Sequence, residues 1–308
     1  MSAPPADLPH SAIYFGDARD HWWNPDYVAL LAERLSIGSC RRVLDVGCGY
    51  GHWGRLWLPY LPVGASLVGL DFEQRSLVEA ERRTRAFVDA RALTVDLSWV
   101  EGRVESLPFP DASFDLVTAQ TVLIHVPDIG RAVAEMARVL APGGLFLVAE
   151  PNNLAGLAAN LVDGAAFSVE NYLQLLELEA RIQVGKAKLG EGFNSAGEVL
   201  PHYLTPTLFS NVRQWLCDRP YGLIPPYDTP GAREEIAGYR DFAAKGWCGR
   251  PRDEALRYYL AGGGQEDTFE RAWQAGLLQD RRLLEGVDAG THASAGGHVF
   301  HLFAATKR

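Results

Sequence analysis

Cysteine is scarce in this chain, and the spacing of the few cysteines excludes the usual metal and disulfide frameworks. They stand at Cys40, Cys48, Cys217 and Cys248, with no C-x-x-C pair and no cluster of histidines beside them. A structural zinc site needs several such ligands at short spacing, so we expect no bound metal. The four cysteines are interpreted as free thiols that are buried or half-buried.

Long basic runs and long apolar segments are also lacking. The 308 residues carry a formal net charge of -9, which disfavours nucleic acid as a partner because phosphate neutralisation drives that binding. We expect a small-molecule partner. No segment approaches the length of a membrane span, so stable membrane insertion is not expected. Residues 1–10 hold three prolines and an aspartate where a signal peptide needs a basic start and an apolar run, which indicates a cytoplasmic protein.

Short apolar segments alternate with helical patterns in the first half of the chain. Helix patterns such as 75–88 and 131–140 separate these segments. This alternation predicts a mostly parallel sheet covered by helices on both faces. The five predicted strands cover residues 43–46, 65–71, 93–100, 114–119 and 145–150.

The end of the chain has a different pattern. Residues 282–287 and 298–304 are apolar and are joined by a short segment rich in glycine, serine and alanine, which predicts a hairpin and an antiparallel last strand. The predicted sheet then has seven strands. A helix over 268–278 is predicted as the crossover that precedes the hairpin.

More than a hundred residues separate the fifth predicted strand from this hairpin, so we predict an insertion. Helices are predicted to begin after Ser168, at Thr205-Pro206 and at Thr229-Pro230, because serine and threonine cap helices and proline favours the first helical position. The predicted organisation is an N-terminal helical segment over 1–36, a core over 37–150 and 252–308, and a helical insertion over 151–251 that acts as a substrate cap.

A glycine-rich turn follows the first predicted strand, and its register distinguishes two kinds of cofactor. Residues 49–54 match the G-x-G-x-x-G pattern of dinucleotide-binding proteins. The match begins three residues beyond the end of the strand, and we interpret it as accidental. Asp45, just before the turn, would repel a pyrophosphate but suits a cofactor that carries a sulfonium and an ammonium group.

With this turn, the sequence resembles the class I S-adenosylmethionine-dependent methyltransferases. The motifs at 43–51, 69–71, 107–109, 114–115 and 140–144 occur in the order and approximate spacing of that family. The resemblance covers residues 40–150 closely and the end of the chain loosely. It implies an α/β fold of the Rossmann-like methyltransferase type, with a seven-stranded, mostly parallel sheet whose last strand is antiparallel and with the helical insertion after strand five.

The resemblance also implies a cofactor site. Asp45 is expected near the amino group of the methionine moiety, Asp71 should accept hydrogen bonds from both ribose hydroxyls, and Phe72 should pack on adenine. Arg103 departs from the family pattern, which often has an aspartate there as acceptor for the adenine amino group. Glu105 or a backbone carbonyl takes over that task, or water does. The implied cofactor-binding residues are Asp45, Gly47, Cys48, Gly49, Gly51, Asp71, Phe72, Arg103, Val104, Glu105 and Gln120.

Four residues are candidates for the chemical step. His125 lies just beyond the fourth predicted strand, where it acts either as a general base or as a residue that stabilises the turn. Glu150, at the end of the fifth strand, either bonds the substrate or caps the following segment. His202 and Tyr203 join the site only if the insertion folds over it.

The insertion is rich in aromatic residues, which fits a pocket for an apolar substrate, the insertion's own core or the surface of a homodimer. We therefore expect a methyltransferase that acts on an oxygen or nitrogen of a small molecule, such as a natural product or another secondary metabolite. Two alternatives remain open. One is C-methylation of a quinone or lipid-like acceptor, and the other is a cofactor-binding protein that regulates or scaffolds a partner.

The N-terminal segment over 1–36 has two possible roles: it packs on the core, or it covers the cofactor.

Overall fold

A sheet of seven strands runs through the computed structural model, which describes residues 16–160, 168–218, 222–295 and 299–308. The order of the strands across the sheet is β3-β2-β1-β4-β5-β7-β6. The strands are β1 (Arg42–Val46), β2 (Ala65–Asp71), β3 (Val95–Glu101), β4 (Phe114–Gln120), β5 (Leu140–Pro151), β6 (Phe209–Leu216) and β7 (Phe300–Lys307).

The first five strands are parallel, and β7 runs antiparallel between β5 and β6. Three residues of the central strand β1, Val43, Leu44 and Val46, have no exposed surface. Such burial on both faces requires a layer of helices on each side. The predicted fold class is confirmed.

Helices cover both faces of this sheet. In the described part of the chain they are α1 (Pro25–Arg34), α2 (His52–Trp57), α3 (Gln74–Ala90), α4 (Ile129–Val139), α5 (Asn153–Asn160), α6 (Val169–Lys188), α7 (Ala196–Val199), α8 (Pro230–Lys245), α9 (Arg252–Ala261) and α10 (Glu266–Asp288). Leu31 of α1 and Trp57 of α2 pack on one face of the sheet, and Met136 of α4 packs on the other. The carboxyl ends of β1 and β4 therefore lie in a sheet that is packed by helices on both faces.

The predicted strand over 282–287 is wrong, and so is the hairpin built on it. These residues belong to α10, where Leu283 and Val287, four residues apart, pack beside Ile236 of α8. A short apolar run does not distinguish a strand from one face of a helix. The partner of β7 is β6 instead, and the first residue of the predicted final strand, 298, lies outside the described residues.

The helix predicted to begin at Thr205-Pro206 is also wrong, because a turn there leads into β6. Most residues of β6 are exposed, as expected for an edge strand with little apolar patterning. The sixth strand of the sheet thus comes from the segment predicted to be wholly helical. The other two predicted starts are confirmed, since Ser168 and Thr229 accept backbone N–H groups at the beginnings of α6 and α8.

Helices α6, α8, α9 and α10 form what we call the helical unit, which has a core of its own. Tyr259, Phe269 and Trp273 are almost fully buried there against α6. The predicted crossover helix over 268–278 is therefore part of a longer helix that packs on α6 and α8. Much of the aromatic content of this region stabilises the unit itself.

All four cysteines are free, and two of them, Cys40 and Cys48, are buried. Within the described ranges, no set of three or more histidine, cysteine, aspartate or glutamate side chains is placed to bind a metal ion. The helices that the structure describes include none with the length and apolarity needed to cross a bilayer.

Candidate cofactor and acceptor site

The glycine turn lies where the strand order of the sheet reverses. Gly47, Gly49 and Gly51 have φ angles of 62°, 51° and 75°, in the left-handed region that favours glycine. A Cβ on Gly47 would lie 2.5 Å from Cγ2 of Val122, which follows β4. The turns after β1 and β4 therefore touch at the topological switch point, where open α/β sheets bind ligands.

Replacing Gly47 by alanine is expected to destabilise the protein by about 2–3 kcal/mol, because it combines the positive φ with a collision against Val122. Gly64→Ala is the matched control, since Gly64 also has a positive φ but a Cβ added there would meet nothing within 4 Å. Urea unfolding should give a loss of about 1 kcal/mol for the control. Equal losses in the two variants would show that the contact with Val122 is unimportant.

Asp45 is a buried carboxylate with one free oxygen. Its Oδ2 accepts the backbone N–H of Gly54 at 3.0 Å, whereas its Oδ1 has no hydrogen-bond partner among the described residues. Burial raises the pKa of this carboxyl to about 7. Because an unpaired buried acceptor is costly, Oδ1 is suited to a donor supplied by a ligand.

Gly54 explains the accidental dinucleotide pattern. A Cβ at this position would lie 2.7 Å from Oδ2 of Asp45, so glycine is required for α2 to pack against the end of β1. The third glycine of the G-x-G-x-x-G match thus serves helix packing beside an acid.

Asp71 joins the end of β2 to the glycine turn. Its Oδ2 accepts the backbone N–H of Gly49 at 2.8 Å, and its Oδ1 accepts that of Glu73 at 3.0 Å. Burial raises the pKa of this carboxyl above its ordinary value. The two hydrogen bonds therefore hold Asp71 in a fixed position beside the turn.

Cys48 is buried behind the glycine turn, where a Cβ on Gly69 would lie 3.0 Å from its Sγ.

The residues expected around adenine lie together beyond the end of β2. Phe72 is 60% exposed, and the Arg103 guanidinium lies 5.7 Å from its ring centroid. Nε of Arg103 lies 3.8 Å from Oε2 of Glu105, while the side chain of Val104 is buried. Arg103, which stands where the family often has an aspartate, thus puts its cation beside the Phe72 ring. The carboxylate of Glu105 lies near the same cation.

Glu150 lies at the end of β5 and is fully buried. Its Oε1 accepts the backbone N–H groups of Val122 and Leu123 at 2.8 and 2.9 Å, and within the described ranges its Oε2 has no partner. Burial raises the pKa of this carboxyl to about 7. This geometry favours a third role for Glu150, which is support of the turn after β4, because its Oε1 accepts two backbone N–H groups of that turn.

The same turn carries His125. Gln120 ends β4, and Thr121 follows with a φ of 59°, unusual for a residue other than glycine. The hydroxyl of Thr121 is buried, with no partner in the described part of the chain. His125, four residues later in the 3-10 turn Leu123–His125, is exposed. Strained backbone of this kind is often found at functional sites.

The segment after β5 folds against this edge of the sheet. A Cβ on Gly192 would collide with the carbonyl oxygen of Ile124, and a Cβ on Gly130 would lie 3.3 Å from the ring of Tyr203. His202 is exposed, and its ring centroid lies 5.4 Å from that of Tyr203. Tyr203 thus packs at the start of α4, which follows His125 in the chain, while the side chain of His202 is exposed.

Lys186 was not predicted from the sequence as a residue of this site. Lys186 of α6 is buried, and its Nζ donates to the carbonyl of Ile124 at 3.0 Å and to Oδ1 of Asn194 at 2.6 Å. Burial lowers the pKa of this amine to about 8. A lone lysine in a helix matches no motif, so only the folded structure reveals its surroundings.

A separate cavity of about 690 Å³ opens in the helical unit. Its lining includes Tyr227, Arg233 and Arg240. None of its lining residues belongs to the glycine turn or to the carboxyl ends of β1 and β4, so it is not part of the candidate site.

Comparison with known proteins agrees with this geometry. A family model described as a methyltransferase domain matches residues 44–148. The demethylmenaquinone methyltransferase of Geobacillus kaustophilus is 31% identical over 193 residues, which are 58% of this chain and 77% of that protein. The chain belongs to the class I S-adenosylmethionine-dependent methyltransferase family. The family predicted from the glycine turn is confirmed.

Other members of the methyltransferase family match over different lengths. The sterol 24-C-methyltransferase erg6 of Aspergillus fumigatus is 38% identical over 120 residues, 39% of this chain and 30% of that protein. The match thus spans less than a third of that relative. The crystal structure of the YcgJ protein from Bacillus subtilis aligns with a TM-score of 0.48 and 18% identity over 92% of this chain and 99% of that chain.

The cofactor of this methyltransferase family is S-adenosylmethionine, and the residues at the switch point fit it. The unpartnered Oδ1 of Asp45 offers an acceptor for an ammonium group. The glycine turn lacks side chains at Gly47, Gly49 and Gly51, which lets a ligand approach the backbone closely. The fit to the cofactor therefore depends on the unpartnered Oδ1 of Asp45 and on the glycines of the turn, which have no side chains.

Proposed function

We propose that this protein transfers a methyl group from S-adenosylmethionine to an oxygen or nitrogen atom of a small molecule. The observation that carries the proposal is the buried carboxylate of Asp45, whose Oδ1 lacks a partner in the described residues beside the glycine turn. A net charge of -9 favours a small acceptor over a polyanionic one.

For the cofactor, the proposal assigns Asp45 to the ammonium group and Asp71 to the ribose hydroxyls. Phe72 packs on adenine, with Arg103 beside it. The remaining contacts come from the backbone of Gly47, Cys48, Gly49 and Gly51, from the backbone N–H of Val104, from Glu105, and from Gln120 at the methionyl end.

When bound, the cofactor supplies an electrophilic methyl group on its sulfonium. The chain's task is to align the acceptor and to exclude water, because methyl transfer is an in-line displacement that needs no covalent enzyme group. In this proposal His125 takes the proton of a hydroxyl or amine acceptor. Glu150 and Lys186 hold the turn that carries it, through Leu123 and Ile124.

C-methylation of a quinone or lipid-like acceptor is a second candidate. Two of the relatives are a sterol 24-C-methyltransferase and a demethylmenaquinone methyltransferase. Tyr203, packed against Gly130 near the turn, and the aromatic residues of the segment after β5 would suit an apolar ring. The two candidates share the cofactor site and differ only in the acceptor.

Calorimetry with S-adenosylhomocysteine tests the cofactor site, and transfer of tritiated methyl from S-adenosylmethionine tests the activity. Phenols, amines, a short-chain demethylated quinone and a sterol serve as acceptors. Labelling of a phenol or amine supports O- or N-methylation, and labelling of only the quinone or sterol supports C-methylation. Binding without transfer to any acceptor would favour a regulatory or scaffold role, and no binding at millimolar ligand would refute the proposal.

Replacing His125 by glutamine is expected to lower the methyl-transfer rate to a phenol or amine acceptor by about 100-fold, since general-base catalysis contributes on that order. The affinity for S-adenosylhomocysteine should stay within twofold. His202→Gln is the matched comparison, because His202 is also exposed but belongs to the segment after β5, where its ring contacts Tyr203. An unchanged rate in the His125 variant would leave the histidine with a structural role only.

A further inference from the structure

The N-terminal 3-10 turn, Gly16–His21, is linked to α2 and, through α2, to the glycine turn by hydrogen bonds and an ion pair. Oδ1 of Asp20 lies 2.6 Å from Nδ1 of His52 and 2.7 Å from Nη2 of Arg55. Arg55 in turn donates through Nη1 to the carbonyl oxygen of Tyr50 at 2.6 Å. The turn also packs against α8 of the helical unit. These contacts hold residues 16–21 directly beside the cofactor pocket.

Arg19 is the residue before this anchor, so its cation lies close to the glycine turn. Its Nε is shut off from solvent and has no partner, and over the described ranges its guanidinium forms no ion pair or hydrogen bond. The guanidinium lies 5.4 Å from the ring centroid of Trp22. Burial lowers its pKa to about 10, and the negative charge of Asp71 opposes that shift. It is therefore a charged donor close to Asp71 but not bonded to it.

Asp71 does not use the donors of Arg19, because its two oxygens accept the backbone N–H groups of Gly49 and Glu73. Two carboxylates, Asp45 and Asp71, thus lie beside the glycine turn, and the nearby guanidinium of Arg19 has an Nε without a partner in the described residues. The cofactor carries a sulfonium, an ammonium and a carboxylate. A buried guanidinium binds a carboxylate well through paired, charge-assisted hydrogen bonds.

We propose that Arg19 binds the carboxylate of the methionine moiety and that the N-terminal turn closes the methionyl end of the pocket. The inference rests on the cofactor placement under the proposed function. It selects between the two roles considered for the N-terminal segment in favour of a cofactor cover. Asp20 positions Arg19 through His52 and Arg55 without contacting the ligand itself.

Three ligands separate this role from a general effect on the fold. S-adenosylmethionine has the carboxylate, its decarboxylated analogue keeps the sulfonium, the amine and the nucleoside, and 5′-methylthioadenosine keeps only the nucleoside and thioether. In calorimetry, Arg19→Met should bind S-adenosylmethionine at least about 10-fold more weakly than wild type. Its affinity for the other two ligands should stay within about twofold.

Two other arginines provide controls. Arg103→Met removes the cation beside Phe72 at the other end of the pocket and should change the affinities for all three ligands by a similar factor. Arg41→Met changes an exposed arginine and should change none. Asp20→Asn should weaken S-adenosylmethionine selectively, as Arg19→Met does, because it loosens the anchor of the turn.

The inference is overturned if Arg19→Met binds S-adenosylmethionine as wild type does. It is also overturned if the variant loses affinity equally for S-adenosylmethionine and its decarboxylated analogue, which would mean that Arg19 only shapes the pocket. Failure of the proposed function gives a different result, since the wild-type protein would then bind none of the three ligands.

Discussion

Replacing Asp71 by alanine is expected to lower the affinity for S-adenosylmethionine by at least about 100-fold. In the proposed function this carboxylate accepts two ribose hydroxyls, and each hydrogen bond to a charged group contributes about 1.5–3 kcal/mol. The same change removes the acceptor of the Gly49 N–H, at 2.8 Å, and of the Glu73 N–H, at 3.0 Å. The glycine turn therefore loses support as the ligand loses its partner.

Calorimetry with S-adenosylmethionine and with 5′-methylthioadenosine measures this loss, because both ligands keep the ribose. Asp71→Asn separates the two effects, since an amide keeps one acceptor oxygen and the shape of the side chain. We expect it to bind more weakly than wild type but more tightly than the alanine variant. Asp96→Ala, at an exposed position of β3, is the matched control. A tenfold loss or less in Asp71→Ala would contradict the assignment.

The glycine turn and the two acids beside it could be located from the sequence because their signals are local. Asp45 precedes a run of glycines whose positive φ angles follow directly from residue type. Asp71 ends an apolar segment that pairs in parallel with β1. In each case a strand and the turn after it lie within a few residues, so the sequence pattern and the folded geometry carry the same information.

The end of the fold was not predictable in the same way. An edge strand such as β6 is mostly exposed, so its residues lack the apolar pattern that marks an inner strand. The run at 282–287 has that apolarity, but it forms the end of α10 because the helical unit supplies a partner surface around Ile236. In both cases, β6 and the end of α10, tertiary packing determined the secondary structure and local propensity did not.

The acceptor side depends on contacts between distant segments. Glu150 was considered as a substrate ligand because it follows a buried strand at the correct edge. In the fold it bonds Val122 and Leu123, while Lys186, which is far along the chain, bonds Ile124. An acid that supports a turn and one that faces a substrate have the same sequence pattern, and only the hydrogen bonds made in the fold distinguish them.

Glu150 is expected to make the protein less stable as the pH rises from 5 to 8. Burial raises the pKa of its carboxyl to about 7 in the folded protein, whereas an unfolded glutamate titrates near 4.3. The folded state therefore holds a proton that the unfolded state has lost, and its stabilising effect disappears as the pH rises through about 7. The contribution of this group amounts to about 3 kcal/mol, since each pKa unit corresponds to about 1.4 kcal/mol.

Glu150→Gln isolates that contribution, because the amide oxygen still accepts the N–H groups of Val122 and Leu123 and cannot ionise. Urea unfolding at pH 5 should give similar stabilities for wild type and variant, and at pH 8 the variant should be the more stable by about 3 kcal/mol. Glu101→Gln, at an exposed position on β3, should show no such change. A constant difference between wild type and Glu150→Gln would mean that the carboxylate is already ionised at pH 5, stabilised by the nearby Lys186 cation.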